Sequence, residues 1–332
     1  MPVTEEHVAL DAVREACILT RTAQASIVAA KGQILKGDAS PVTIADLAAQ
    51  AVITARLTDA FPEIPIMAEE DDSVLVGPGG PTITSSVLEL TSHVLNIASS
   101  QRLRSLLRRG DSPGGAHGRF WTLDPIDGTR GFIRGDQYAV ALALIEDGQV
   151  VLGLVGCPNL PSQPGGRPTS SSGCIFMARR GHGAYQWPID EDWPTPISVD
   201  TIAQPEAGAF CESVEPGHTS HAATARVAAR LGITAPPYRV DGQTKYGIVA
   251  RGEASIYLRL PSTPGYHEKI WDHAAGSALI TEAGGCVTHV DGEALDFSAG
   301  RTLPNATGIV VTNGRLHDAV LEAIGETLGV ER

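Results

Sequence analysis

Two apolar runs with strand-type patterning, residues 138–146 and 150–157, flank Asp147-Gly148, and together they predict a β-hairpin. Near the amino end, Val8, Ala12, Cys17, Leu19 and Ala23 fall close to helical spacing with charged and polar residues between them. That pattern predicts a long amphipathic helix over 5–30. A second helix is expected over 44–60 with Asp46 in its first turn, followed by a short strand, 64–68, that delivers Glu69-Glu70-Asp71-Asp72. Residues 73–118 read as an excursion from the core, with glycine and proline turns at 77–81 and 113–115 and a helical middle over 85–108. It has the makings of a flap. A strand over 118–123 then runs into Asp124-Pro125-Ile126-Asp127-Gly128-Thr129. Proline, serine and glycine dominate 158–173, which reads as a joint between an α+β half (1–160) and an α/β half (161–332). Strands follow at 174–178, 183–186, 238–241, 254–260, 286–289 and 308–312, with helices at 220–231, 243–250, 272–283 and 314–328. Alternation of this kind predicts an α/β fold with helices layered on sheets.

Composition narrows the chemistry. At 332 residues the chain can bury a sizeable core. Its formal net charge of -13 argues against a nucleic-acid polymer or an anionic membrane as the main partner, but not against a small anionic substrate met by metals or a local basic pocket. The five cysteines (Cys17, Cys157, Cys174, Cys211, Cys286) are scattered, odd in number and free of any CxxC pair, which favours reduced thiols over a disulfide framework or a zinc site. The start of the chain lacks a basic-then-apolar signal pattern, and 138–145, the longest apolar run, is too short to span a bilayer. The expectation is a cytoplasmic protein.

The hexapeptide 124–129 sets two carboxylates three residues apart at a strand's carboxyl end, where α/β proteins place ligands. Pro125 stiffens the backbone, Gly128 permits a sharp turn, and the Ile126 carbonyl and Thr129 hydroxyl add oxygen donors of the kind Mg²⁺ takes. The same residues would also serve an Asp-Pro turn with an Asx bond. Three further acidic points have bland readings of their own: Glu69-Glu70 as a solvated turn, Asp46 as a first-turn acid favoured by the helix dipole, and Asp272 as the N-cap of a helix. Jointly the set points elsewhere. Carboxylates crowded together raise one another's pKa, divalent ions resolve that conflict, and the ions then attract phosphate. Metal-assisted phosphate-ester hydrolysis, with metals about 3.5–4 Å apart, is the consistent chemistry.

With the Glu-Glu pair, DPIDGT at 124–129 and WDHAAG at 271–276, the chain resembles the lithium-sensitive, magnesium-dependent phosphomonoesterase superfamily of inositol monophosphatase. Within it, the chain resembles the 3′(2′),5′-bisphosphate nucleotidases. The segments that carry this are SPVT at 40–43, GRFW at 118–121, DPIDGTRGFIRG at 124–135, QYAVALALIEDG at 137–148, GCPNL at 156–160, YLRLP at 257–261 and EKIWDHAAG at 268–276. The long excursion after Glu70 fits the nucleotidases too. The resemblance implies alternating α/β/α/β/α layers, the sugar-phosphatase fold of inositol monophosphatase. It makes Glu69, Asp124, the Ile126 carbonyl, Asp127 and Asp272 metal ligands for two or three Mg²⁺ ions, with Glu70 behind them or at a third ion. Asp46 and Thr129 would activate the attacking water, and the amides of Gly128 and Thr129 would meet the phosphate. In line with the family, His218, Lys245, Arg259 and the residue at 242 would bind the nucleotide. Gly242 departs from the serine usual there, so one hydroxyl contact is missing.

The implied activity is hydrolysis of adenosine 3′,5′-bisphosphate to AMP and phosphate, with 3′-phosphoadenylyl sulfate as a second substrate, inhibition by Li⁺ and a place in sulfur assimilation. A monomer is expected. Two rivals stand beside this reading: an inositol-polyphosphate 1-phosphatase using the same site, and a catalytically silent nucleotide sensor, which would predict a damaged acidic set.

Overall fold

The hairpin expected around Asp147-Gly148 forms the centre of the larger sheet. The computed structural model describes residues 4–29, 41–77, 79–92, 94–165, 173–214, 220–260, 267–304 and 308–329, with only the backbone described for 41–43. In chain order the first sheet holds β1 (Ile66–Ala68), β2 (Arg119–Asp127), β3 (Ala139–Glu146), β4 (Gln149–Cys157), β5 (Cys174–Arg179), β6 (Ala184–Pro188) and β7 (Thr195–Ile197). Only the β1–β2 pairing is parallel; every later neighbour is antiparallel. Asp147 and Gly148 both take positive φ, 48° and 74°, as a tight hairpin turn between twisted strands requires.

β3 shows why its sequence is apolar without interruption. Val140, Leu142 and Leu144 face α1 (Glu5–Ala29) and α2 (Pro41–Ala60), while Ala139, Ala141, Ala143 and Ile145 share a core with helices of the second half. With both faces covered, alternation disappears. Each fully buried Val or Leu here contributes about 1.5–3 kcal/mol from its removal from water.

The excursion after Glu70 is docked on the core. Its α3 (Gly80–Thr91) and α4 (Ser100–Arg108) pack on α2 through Ile83, Val87, Leu103, Leu106 and Leu107. Ser99 caps α4 by accepting the N–H of Arg102. Two helices thus stand where the pattern suggested one helical middle, because Ser92 and residues 94–99 break the period. A short α5 (Thr129–Arg134) leaves the end of β2.

The second sheet, in spatial order, is β11 (Cys286–His289), β12 (Ile309–Thr312), β10 (Ile256–Arg259), β8 (Phe210–Glu212) and β9 (Tyr238–Arg239). α7 (Thr244–Ala250) and α8 (Ala274–Glu282) lie between the two sheets, and α6 (His221–Arg230) and α9 (His317–Leu328) cover the outer face of the second. The layers therefore run α1/α2, sheet, α7/α8, sheet, α6/α9, which is the expected α/β/α/β/α order. β7 and β8 were not foreseen: at three residues each they are too short to show a period. The first sheet runs on through residue 197, so the joint expected near 160 does not coincide with the boundary between sheets, and residues 166–172 lie outside the described residues. All five cysteines are free, and all but Cys286 are buried. Among the described residues, no helix is long and apolar enough to cross a membrane.

Candidate active site

β2 delivers the acidic hexapeptide to the end of the sheet. Its pairing with β3 shifts register between Asp124 and Asp127, where Pro125 can offer no ladder N–H. One Asp124 oxygen accepts the N–H of Ile126 at 3.1 Å, so the Asx bond of the turn reading is present. The turn and the site are the same object: the bond fixes the 3%-exposed carboxyl in place. The Thr129 hydroxyl donates to the Ile126 carbonyl at 3.3 Å.

Gly128, at φ 96°, turns the chain from β2 into α5, and a Cβ there would stand 3.0 Å from the Gly242 nitrogen. Gly242, at φ 62°, faces it: a Cβ would overlap the Asp127 carbonyl. At this seam the two halves of the chain meet backbone to backbone. Within this backbone geometry Gly242 is a packing requirement, since both its φ and its space reject a side chain.

The neighbouring carboxylates arrive from three elements. β1 runs parallel to β2, and beyond its end the Glu69 N–H donates to the Leu123 carbonyl at 3.1 Å, which sets Glu69 beside Asp124. Gln50 on α2 holds Glu70 by two backbone bonds, at 2.7 and 3.1 Å. Asp46 lies one helical turn earlier on the same face, 5% exposed. Because α2 begins at Pro41, Asp46 stands in its second turn and not its first, so the helix dipole no longer accounts for it. Asp272 is not an N-cap either. It sits in a single 3-10 turn, Ile270–Asp272, and His273 takes the position before α8. Both bland readings, for Asp46 and for Asp272, are thereby withdrawn.

These elements enclose a cavity of about 480 Å³ lined by Glu69, Asp124, Ile126, Asp127, Gly128 and Thr129 from the first half of the chain and by Gly242, Lys245, Arg259 and Asp272 from the second. Asp46 and Glu70 stand behind this wall; Glu70 and Glu69 lie close enough to Asp46 to raise its titration, while Glu70 is raised by burial and then by Asp71. No hydrogen bond joins Asp46 to Thr129, whose hydroxyl turns instead to Ile126. His218 and Ser40 lie outside the described residues. The cavity also takes in Arg130, Ser213, Asp241, Lys269 and Trp271, to which no role was given on sequence alone. Of these Arg130, Lys269 and Trp271 lay in segments already singled out, but a surface cation or a core tryptophan explains each without a site.

The electrostatics are those of a site short of positive charge. Burial, then the charges of Glu69, Asp127 and Asp272, hold the Asp124 carboxyl well above the usual range. Burial chiefly pushes Glu69 up to about 7, against a lowering hydrogen bond with Asp124. Asp272 also rises to about 7, from burial, although Arg259 pulls it down. Asp46 is raised by burial, then by Glu70 and Glu69. Such a donor set suits hard divalent cations: all oxygen, mostly buried, and raised in pKa by burial and by mutual repulsion that a bound cation would relieve. Among the described residues, one trio of acidic and histidine side chains, Glu268, Asp272 and His273, has ligand atoms all within 4.8 Å. It is closed by protein, because Arg259 reaches Glu268 at 2.7 Å and Asp272 at 3.1 Å, and Glu268 also meets His273 at 3.2 Å. We read it as an ion-pair network flanking the cavity.

A pH dependence follows. With folded-state pKa values raised from 4.5 and 3.8 to about 7, Glu69 and Asp272 bind more protons folded than unfolded between those limits. Their contribution to stability is present below about pH 4 and is lost as pH rises through about 7. In chelator, the melting temperature is expected to fall between pH 5 and pH 8, and a divalent cation should restore more of it at pH 8. A chelated protein that melts higher at pH 8 would contradict the crowding.

The relatives of the chain accord with this geometry. A 3′(2′),5′-bisphosphate nucleotidase of Schizosaccharomyces pombe is 41% identical over 334 residues, covering 96% of this chain and 94% of the relative. One from Oryza sativa is 42% identical over 308 residues, covering 88% and 86%. Among solved structures, Mycobacterium tuberculosis SuhB superposes with a TM-score of 0.62 at 20% identity, covering 98% of this chain and 97% of that one. An inositol monophosphatase from Anabaena gives 0.60 at 20%, covering 98% of each. The sequence model of the inositol monophosphatase family matches residues 2–328, and the chain belongs to that family.

Proposed function

We propose that this chain is a Mg²⁺-dependent 3′(2′),5′-bisphosphate nucleotidase, a cytoplasmic monomer that hydrolyses adenosine 3′,5′-bisphosphate to AMP and phosphate and also accepts 3′-phosphoadenylyl sulfate. The observation that carries the reading is the bipolar cavity. Its acidic wall faces Lys245, a buried cation whose polar contacts are the Val240 carbonyl at 3.4 Å and the Tyr257 ring at 5.2 Å. A substrate with two phosphates offers one to each wall. The names of the nucleotidase relatives support the nucleotide.

Glu69, Asp124, the Ile126 carbonyl, Asp127 and Asp272 would hold two or three Mg²⁺ ions, with Glu70 supporting them. When bound, Mg²⁺ supplies Lewis-acid polarisation of the phosphate and the counter-charge this wall lacks. Asp46 and Thr129 would take the proton of the attacking water, the hydroxyl passing it toward the carboxylate. For this Thr129 must exchange its donated bond to Ile126 for one to Asp46 and accept from that water. The amides of Gly128 and Thr129 at the start of α5 would receive the scissile phosphate. Water attacks in line and the P–O3′ bond breaks; the proton taken up by Asp46 is returned through solvent to O3′ and the other stays with phosphate, so AMP leaves with a free 3′-hydroxyl.

Lys245 and Arg259, with His218, would bind the second phosphate and the nucleoside, and Gly242 would give a close floor at the seam. In this division the first half of the chain supplies most metal ligands, and the second supplies Asp272 and the recognition groups. Li⁺ would inhibit by replacing one Mg²⁺, and the role would be the removal of a by-product of sulfur assimilation. Incubated with adenosine 3′,5′-bisphosphate and Mg²⁺, the protein is expected to leave 5′-AMP, identified by ion-exchange chromatography. Accumulation of 3′-AMP would overturn the assignment.

A further inference from the structure

Arg301 lies in the loop between β11 and β12, in Ser298-Ala299-Gly300-Arg301-Thr302, away from every motif considered above. Its guanidinium donates to the Ala68 carbonyl at 2.6 Å and points its other terminal nitrogen at the carbonyls of Ser112 and Gly110, at 3.4 and 3.5 Å. The same guanidinium lies over the Trp271 ring, 4.7 Å from its centre. Ala68 immediately precedes Glu69, and Trp271 immediately precedes Asp272. The backbone reinforces the second grip: the Ile270 N–H donates to the Arg301 carbonyl at 3.2 Å, and the Leu303 N–H to the Glu268 carbonyl at 2.9 Å. One side chain therefore ties the strand end that carries Glu69 to the turn that carries Asp272. Those two carboxylates come from residues some two hundred positions apart, and both line the cavity.

We propose that Arg301 is a positioning residue: it sets the separation of Glu69 and Asp272 at the cavity and so readies the site for divalent cations. The proposal rests on the reading of Glu69, Asp127 and Asp272 as ion ligands. Arginine suits the task because its planar fork bonds carbonyls in one plane while its face stacks on an indole, which a lysine ammonium cannot do together. Partners behind metal ligands govern ligand orientation, and their loss lowers metal affinity by about 10–100-fold.

The test is Mg²⁺ binding by titration calorimetry to the metal-free protein and to Arg301→Gln, Arg301→Lys and Asp127→Ala. Arg301→Gln should raise the Mg²⁺ Kd by about 10–100-fold. Arg301→Lys, which keeps charge and a donor toward Ala68, should raise it several-fold and serves alone if the glutamine variant does not fold. An Arg301 variant that melts at lower temperature yet binds Mg²⁺ as the unaltered protein does would show a purely structural role and overturn the proposal. If Asp127→Ala also leaves Mg²⁺ binding unchanged, the ligand assignment itself fails; if Asp127→Ala weakens it and the Arg301 variants do not, only the Arg301 proposal fails.

Discussion

Asp127→Ala protein should release phosphate about 10³-fold more slowly than the unaltered chain, a loss of about 4 kcal/mol of transition-state stabilisation. In the absence of metal it should melt no lower. The two halves of this prediction come from one arrangement. Asp127 ends β2 at the cavity wall, and its charge raises the titration of Asp124, Glu69 and Asp272. Without an ion it is one repelling carboxylate among four, so its removal relieves the folded state. On the proposed reading it would be a Mg²⁺ ligand, so its removal should disable the site. Steady-state phosphate release and thermal unfolding in chelator read the two effects. A variant that keeps more than a tenth of its activity would remove Asp127 from the mechanism, and one that melts well below the unaltered chain would remove the crowding argument.

Lys245→Ala is expected to raise the KM for adenosine 3′,5′-bisphosphate by about 100-fold, or about 3 kcal/mol, in keeping with the loss of a charge-assisted contact in a desolvated site. With adenosine 3′-monophosphate, which lacks the second phosphate, KM should change by no more than a few-fold. Lys245 is 3% exposed and makes no ion pair with a carboxylate among the described residues. Burial lowers its pKa, while Asp127, across the cavity, draws it back up. A buried ammonium without a carboxylate partner is costly, and the phosphate of a substrate would offset that cost. Arg259 differs, being already shared between Glu268 and Asp272. The contrast between the two substrates is the informative quantity: equal losses with both would place Lys245 in the fold and not in recognition.

How much of this was legible in the chain depends on where the information resides. β3 could be read because two covered faces leave a continuous apolar signature, and the Asp147-Gly148 turn because positive φ restricts composition. The acidic wall could be read because Asp124 and Asp127 are fixed by local chemistry: an Asx bond, a proline and a glycine within six residues. What failed were two inferences that depended on a helix boundary. Asp46 moved from the first turn to the second because α2 begins at Pro41, and Asp272 lost its capping role because a 3-10 turn precedes α8. β7 and β8 are too short to carry a period. Gly242 read as a missing serine, but its backbone angle and the Asp127 carbonyl against it are facts of the seam between halves, which no local pattern displays. Arg301 was invisible for the same reason: its partners Ala68 and Trp271 are distant in sequence, and a loop arginine carries no signal of its own.

The central claim is that the acidic wall performs metal-dependent hydrolysis and the cationic wall selects a nucleotide bisphosphate. Its most direct test is the rate of phosphate release from adenosine 3′,5′-bisphosphate and from inositol 1,4-bisphosphate, side by side, with Mg²⁺, with Mg²⁺ plus Li⁺, and with chelator. The account predicts faster turnover of the nucleotide, inhibition by Li⁺ and no turnover in chelator. Faster turnover of the inositol compound would contradict the substrate, and turnover that survives chelation, or none at all with Mg²⁺, would contradict the chemistry.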